Sequence, residues 1–144
     1  MAYPQHIYVM VDAVVFTYQE EDLQVLLIER KSDPFKGKWA LPGGFVEDDE
    51  SVDTAAYREL EEETGIKADT LTQFHTFGEP GRDPRGRAVS VAYFTKMNKE
   101  KVNPRADTDA AKVQWFGMNA LPDLAFDHDK ILTMAREAFL KIED

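Results

Sequence analysis

The sequence predicts a mixed α/β sandwich, a mixed sheet with one helix in mid-chain and one at the C-terminal end. Three observations carry this. Several runs rich in β-branched and aromatic residues are too short for helices and are bounded by polar turns. Ser51 to Thr64 is made of strong helix formers set between a capping serine and Gly65. Near the end, Ile131, Leu132, Ala135, Ala138, Phe139 and Ile142 recur at helical spacing. With 144 residues, no internal repeat and no long linker, residues 1–144 form a single domain.

The elements follow in order. Ile7 to Phe16 reads as a strand closed by the polar turn Gln19-Glu20-Glu21-Asp22, and Gln24 to Arg30 as a buried strand paired with it. Lys31 to Gly44 holds Pro34, Pro42, Gly37, Gly43 and Gly44, and reads as loop with a short extended piece at Lys38 to Leu41. Ser51 then caps the mid-chain helix, and Gly65 takes the left-handed position that ends it. Strands are expected at Thr70 to Phe77, Ala88 to Lys96 and Lys112 to Phe116, the second with Val89, Val91 and Tyr93 alternating against Ala88, Ser90 and Ala92. The last helix is expected to start at an Asp127 cap.

Composition excludes several classes of function. There is no cysteine, hence no disulfide scaffold, thiolate zinc site or cysteine nucleophile, and the chain suits a reducing cytoplasm. The longest apolar runs fall far short of the ~20 residues that span a bilayer, and the first residues carry no signal-peptide pattern, so no membrane association is expected. Lys plus Arg number 17 against 27 Asp plus Glu, a formal charge of -10, which opposes binding to nucleic acid. A small anionic substrate needs a local basic pocket or a bridging divalent cation.

Glu59, Glu61, Glu62 and Glu63 crowd the mid-chain helix. A run of acids usually marks a solvated face. At ~100° per residue, however, Glu59 and Glu63 project towards the apolar side set by Val52, Ala55, Ala56, Tyr57 and Leu60, whereas Glu61 and Arg58 point away from it. Glu59, Glu62 and Glu63 are related by three and four residues and can converge. Like charges so placed repel unless a cation holds them, and hard divalent ions accept such ligands. From geometry alone, a metal site and a salt-bridged surface helix stand equal.

The segment from Gly44 to Ile66, with Glu50, Arg58, Glu59, Leu60, Glu62, Glu63 and Gly65 at fixed spacing, resembles the Nudix box, G-x5-E-x7-R-E-U-x-E-E-x-G-U with U aliphatic. All nine specified positions over twenty-three residues are filled. The resemblance implies a Nudix-type α/β/α sandwich and Mg²⁺-dependent (Mn²⁺ also possible) hydrolysis of a nucleoside diphosphate linked to another group. It implies that Glu59, Glu62 and Glu63 are metal ligands and that Glu59 activates the water. Gly43 and Gly44 present backbone to metal or phosphate, and Glu50 with Arg58 forms an orienting pair. Metal ions suit the chemistry because they neutralise a diphosphate and lower the pKa of bound water.

The loop from Gly78 to Arg87 gathers Arg82, Arg85 and Arg87 in an otherwise acidic chain, and arginine forks match phosphate oxygens. Followed by Ala88 to Phe94, it resembles the ADP-ribose pyrophosphatases and the Nudix domains of regulators of NAD metabolism, as does Pro80, fifteen residues past Gly65. Further candidates are Arg30 and Lys38 for phosphate, and Phe35, Phe45, Tyr93 and Trp115 for stacking on adenine, with core packing as the ordinary alternative. Asp107 and Asp109 either assist the nucleophile or cap a turn. His6, His75 and His128 show no ligand spacing and receive no function. The leading expectation is a cytoplasmic homodimeric hydrolase that splits ADP-ribose into AMP and ribose 5-phosphate. The alternatives are a non-catalytic ADP-ribose sensor, for which a DNA-binding half is not expected here, and a Nudix enzyme acting on oxidised nucleoside triphosphates or dinucleoside polyphosphates.

Overall fold

The computed structural model describes residues 5–106 and 110–143. Strand β1 (Tyr8–Gln19) is the spine of the sheet. It runs parallel to β6 (Ala88–Lys96) along one edge and antiparallel to two partners along the other. Its last residues, Phe16 to Gln19, pair with the start of β2 (Asp22–Arg30), and its first, Met10 to Asp12, pair with β4 (Gly43–Phe45). β1 and β2 therefore diverge like a fork. The chain from β3 (Trp39–Ala40), which pairs with the far end of β2, to β4 fills the opening. β5 (Thr72–Phe77) lies outside β6, and β7 (Ala110–Gly117) pairs with the other edge of β2, giving seven strands among the described residues.

One helix covers each face, which makes the expected α/β/α sandwich with a mixed sheet. Helix α1 (Val52–Thr64) buries Ala55, Ala56 and Leu60 against Val11, Ala13 and Val15 of β1. Helix α2 (His128–Glu143) buries Ile131, Leu132, Ala135 and Phe139 against Val14 and Phe16, the intervening residues of the same strand. Alternation along β1 thus assigns odd positions to one helix and even positions to the other. Both ends of α1 follow the sequence reading. Ser51 Oγ accepts from the backbone N–H of Thr54 at 3.1 Å, and Gly65, at φ 76°, returns its N–H to Glu61 O at 2.7 Å.

Two expectations change. Gly43 and Gly44 are not loop but strand, because their backbone completes the ladder that β2 abandons when it leaves β1. Ile142 does not extend the buried stripe of α2. It is 66% exposed, since the last turn lies at the rim of the sheet, where Glu143 meets Lys96 at the end of β6 at 3.0 Å. Leu132→Ala should therefore lower stability by about 2–5 kcal/mol, as truncation of a packed core leucine does. Ile142→Ser should stay within about 0.5 kcal/mol of the parent, both measured by urea unfolding.

Candidate active site

At the fork between β1 and β2 a cavity of about 390 Å³ opens between the two helical layers. From α1 come Glu59 and Glu63, from β4 Gly43 and Gly44, from β2 Arg30, and from the loop before β6 Arg82, Asp83 and Arg85. Met10 and Asp12 of β1, Ser90 of β6, and Phe126 with His128 at the start of α2 complete the wall opposite.

The two glycines let both layers reach this opening. A Cβ at Gly44 would lie 2.5 Å from Glu59 Oε2, and one at Gly43 would strike Val11 O and stand 2.7 Å from Asp12 Oδ1. Position 43 has no room for a side chain against the β1 backbone, and at position 44 one would have to push the Glu59 carboxylate aside. Burial pushes the Glu59 carboxyl above its ordinary value, against the pull of the Arg58 guanidinium beside it. Glu63 is buried, Glu61 is exposed near Lys67, and Glu62 is exposed at the border, as the helical geometry anticipated.

Arg58 does not simply turn away from the core side. Its guanidinium reaches Glu50 Oε1 at 2.5 Å, Glu59 Oε1 at 2.7 Å, Glu62 Oε2 at 3.0 Å and the carbonyl of Phe45 at 3.1 Å. One cation thus offsets the mutual repulsion of three carboxylates and ties α1 to β4. Arg58, together with the backbone N–H of Glu47, holds the Glu50 carboxyl down to about 2. No three His, Asp or Glu side chains among the described residues stand ready as a metal cluster. The donor set nevertheless fits a hard divalent ion. Glu59 and Glu63 face the cavity, Glu62 lies one turn away, and the bare backbone of Gly44 leaves a cradle at the Glu59 carboxylate.

Of the arginines, Arg85 and Arg30 reach the cavity with their faces on aromatic rings. The Arg85 guanidinium carbon is 5.3 Å from the Phe45 ring centre and 5.2 Å from that of Phe126, and Arg30 is 5.0 Å from Phe126. Arg85 also donates from Nε and Nη2 to the two carboxylate oxygens of Asp83, at 3.1 and 2.8 Å. Arg82 lines the cavity but is buried in a two-pronged pair with Asp127, at 2.7 and 2.9 Å, and donates to Ser90 Oγ at 2.9 Å. Its fork is taken up in joining the loop to the start of α2.

The structure does not bring Arg87 or Tyr93 into the cavity. Arg87 donates to Gly78 O at 2.6 Å and closes the base of its own loop. Tyr93 points beneath α1, where its hydroxyl donates to Asp53 and its pKa is pushed up to about 12 by burial and by that carboxylate. The alternation of β6 marked one face but not which helix covers it. Trp115 packs in the α1-side core, Phe35 lies tilted against Phe126 with ring centres 4.8 Å apart, and Asp107 and Asp109 lie outside the described residues. The sequence reading missed Asp12, Phe126 and His128. Asp12 had a signal, as the one charge within the otherwise apolar run from Val9 to Phe16.

The NUDIX domain profile matches residues 9–135. The chain belongs to the NUDIX family. It is 42% identical over 127 residues, 88% of this chain and 72% of the relative, to the ADP-ribose pyrophosphatase of Methanocaldococcus jannaschii. It is 40% identical over 129 residues to the ADPR responsive transcriptional repressor NtrR of Acinetobacter baylyi, covering 87% of this chain but 51% of that protein. Among solved structures, the NUDIX domain of Shewanella oneidensis NrtR complexed with ADP ribose superposes with a TM-score of 0.84 at 34% identity, over 94% of this chain and 90% of that one. The chain is thus a Nudix hydrolase by class, and hydrolases of this family generally use divalent metal ions such as Mg²⁺. No helix among the described residues is long and apolar enough to cross a membrane.

Two outcomes follow for this Nudix domain. The folded pKa of Glu50 lies below its ordinary value of 4.5, so its pairing contributes stability that is complete above about pH 4.5 and fades as pH falls towards 2. Thermal melts should show the parent losing more stability over that window than Glu50→Gln. Gly44→Ala should keep the fold, because its clash is with the movable end of Glu59, while displacing that carboxylate and lowering kcat roughly tenfold or more.

Proposed function

We propose that this cavity hydrolyses ADP-ribose to AMP and ribose 5-phosphate with Mg²⁺. The observation that carries the proposal is that carboxylates from α1 and two guanidiniums, Arg30 and Arg85, face one another across a single opening. That is the charge pattern needed to seat a pyrophosphate beside a metal site. Support comes from the M. jannaschii pyrophosphatase, related over most of both chains, and from the likeness to a Nudix domain that holds ADP ribose.

Glu59, Glu62 and Glu63, with the backbone of Gly43, would hold a divalent ion, which would supply neutralisation of the diphosphate and a water of lowered pKa. The protein's own groups do the rest. Arg30 and Arg85 take non-bridging phosphate oxygens, and their positions against Phe126 and Phe45 fix the forks before substrate arrives. Glu59, whose carboxyl burial makes more basic, takes a proton from the water as the water oxygen bonds to one phosphorus and the bridging P–O bond breaks, the bridging oxygen leaving on the other phosphate. Glu50 and Arg58 orient Glu59 and keep Glu62 in reach. Arg82 holds the loop to α2 and does not itself grip substrate.

Because the A. baylyi relative is a repressor, the sensing alternative has an observation behind it. Filled carboxylate positions at 59, 62 and 63 favour catalysis, since binding alone needs no proton acceptor at the reacting phosphorus. The deciding measurement is product release from ADP-ribose, NADH, diadenosine polyphosphates and 8-oxo-dGTP, with Mg²⁺, with Mn²⁺ and with excess EDTA. ADP-ribose should be the best substrate, and activity should vanish with EDTA. Full activity in EDTA, or none with any metal while ADP-ribose still binds, would overturn the hydrolase proposal.

The variants separate the roles. Glu63→Gln should lose roughly 100-fold or more in kcat while Glu61→Gln behaves as the parent. Arg85→Ala should raise KM roughly tenfold or more, Arg87→Ala should leave it unchanged, and Arg82→Ala should act mainly through lost stability, because it strands Asp127 in a partly buried site. Steady-state kinetics beside thermal melts distinguish these outcomes.

A further inference from the structure

A carboxylate lines the cavity beside the arginines that face it, where it repels any anion that enters. That carboxylate is Asp83, and it is only 6% exposed. An acid buried among the groups proposed to seat a phosphate costs affinity unless it does something in return. What it does follows from the state of Arg85. The Arg85 guanidinium lies 5.3 Å from the Phe45 ring centre and 5.2 Å from that of Phe126, contacts that favour its place but set no direction for its N–H groups. Arg30 approaches the same Phe126 ring at 5.0 Å, and the two cations oppose each other. After burial, the charge of Arg85 is the largest influence pressing the Arg30 guanidinium below its ordinary pKa, and Asp83 works the other way. Two like charges so close move apart unless an anion holds them.

Asp83 is that anion. Its Oδ1 accepts from the backbone N–H of Arg85 at 2.9 Å and from Arg85 Nε at 3.1 Å, and its Oδ2 accepts from Nη2 at 2.8 Å. The side-on fork of the guanidinium is thereby filled, and the edge left for an incoming oxygen is the end-on one, which carries Nη1. Asp83 is itself fixed in place. Its neighbour Arg82 is locked on Asp127, and its own carbonyl accepts from the N–H of Gly86 at 3.3 Å. Burial works to raise the Asp83 carboxyl, but hydrogen bonds from the side chain and backbone of Arg85 outweigh it and hold the group below its ordinary value, so the negative charge persists beside the cavity.

We propose that Asp83 is a positioning residue: it touches no substrate, and holds the Arg85 guanidinium against the repulsion of Arg30 so that the end-on edge of Arg85 meets a phosphate oxygen. Asp83 weakens phosphate binding by direct repulsion and strengthens it by fixing Arg85 before substrate arrives, and the second effect is the larger. The sign of the change on removing its charge therefore decides between a positioning group and a mere cost. This inference rests on the proposal that the cavity takes a nucleoside diphosphate derivative, and adds which buried group prepares the cavity for its phosphates.

Asp83→Asn separates this role from a structural one. Its Oδ1 still accepts from the backbone of Arg85 and keeps the turn, while an amide nitrogen replaces Oδ2 and faces Nη2 donor to donor. The measurement is calorimetric binding of α,β-methylene ADP-ribose, which cannot be split at the bridge, with Mg²⁺, to the parent, Asp83→Asn, Arg85→Ala and the double variant, with thermal melts confirming each fold. Asp83→Asn should bind roughly fivefold or more weakly than the parent, whereas in the Arg85→Ala background the same change should leave affinity equal or higher, because only repulsion remains to be removed. In steady-state turnover of ADP-ribose the loss should fall on KM and not on kcat. Should Asp83→Asn fail to fold, Asp83→Ser, whose hydroxyl can still accept from the Arg85 backbone, takes its place with the same expected pattern. Binding by the single variant as tight as the parent's, or tighter, would overturn the positioning role. Equal weakening with and without Arg85 would overturn it in favour of a purely structural turn. No binding by the parent would overturn this inference together with the proposed substrate class, whereas the expected pattern without hydrolysis of ADP-ribose would uphold it while the hydrolase proposal fails.

Discussion

The organisation of this domain depends on the divergence of β1 from β2 and on how the gap is closed. A sheet that forks exposes unpaired N–H and C=O groups along two strand edges, and burying them unpaired would be costly. The chain answers by laying β3 on one prong and β4 on the other. At position 43 β4 can do so only without a side chain, because Val11 and Asp12 press on it, and at position 44 the missing side chain leaves room for the Glu59 carboxylate. A constraint of backbone hydrogen bonding thereby becomes a feature of chemistry. The strand that heals the sheet is thin enough for carboxylates from the α1 side and the α2 side to open into one cavity.

Charge is arranged around that opening in two tiers. The outer tier is Arg58, which clasps Glu50, Glu59 and Glu62 behind the cavity and is not itself a lining residue. The inner tier is Arg30 and Arg85, which face it against aromatic rings. The difference matters because Arg58 is divided among three carboxylates, whereas Arg85, though paired with Asp83, meets only that one and still lines the cavity against its rings. Counting arginines in a loop cannot separate these states. Arg82, Arg85 and Arg87 are near neighbours in sequence, yet one is buried against Asp127, one faces the cavity and one closes its own loop.

Legibility followed the range of the forces involved. Helix α1, its serine cap, its left-handed glycine and the inward pair Glu59 and Glu63 were readable because caps and periodicity act within a few residues. The strand role of Gly43-Gly44 was not, since a glycine pair carries the composition of a loop and becomes strand only through Met10 to Asp12, thirty residues earlier. Tyr93 was misplaced for the same reason: period-two alternation separates two faces without naming the helix that covers each. His128 offered no spacing signal because its partners, Leu41 and Asp12, lie 87 and 116 positions away in the chain.

Arg58 also explains how an acidic helix remains stable before any ion arrives. Three glutamates within two turns would repel one another, and the half-buried ones would tend to take up protons. By pairing with Glu59 and Glu62, the guanidinium offsets their repulsion and keeps those carboxylates together. Any competition from a cation is local to the exposed side chain of Glu62, because Glu50 and the Phe45 carbonyl retain Arg58 whichever way Glu62 turns. If the cavity takes a divalent ion as proposed, the fold need not change: Glu62 would exchange an arginine for the ion, while the strand, the helix and the two glycines that shape the cradle stay where the sheet has fixed them.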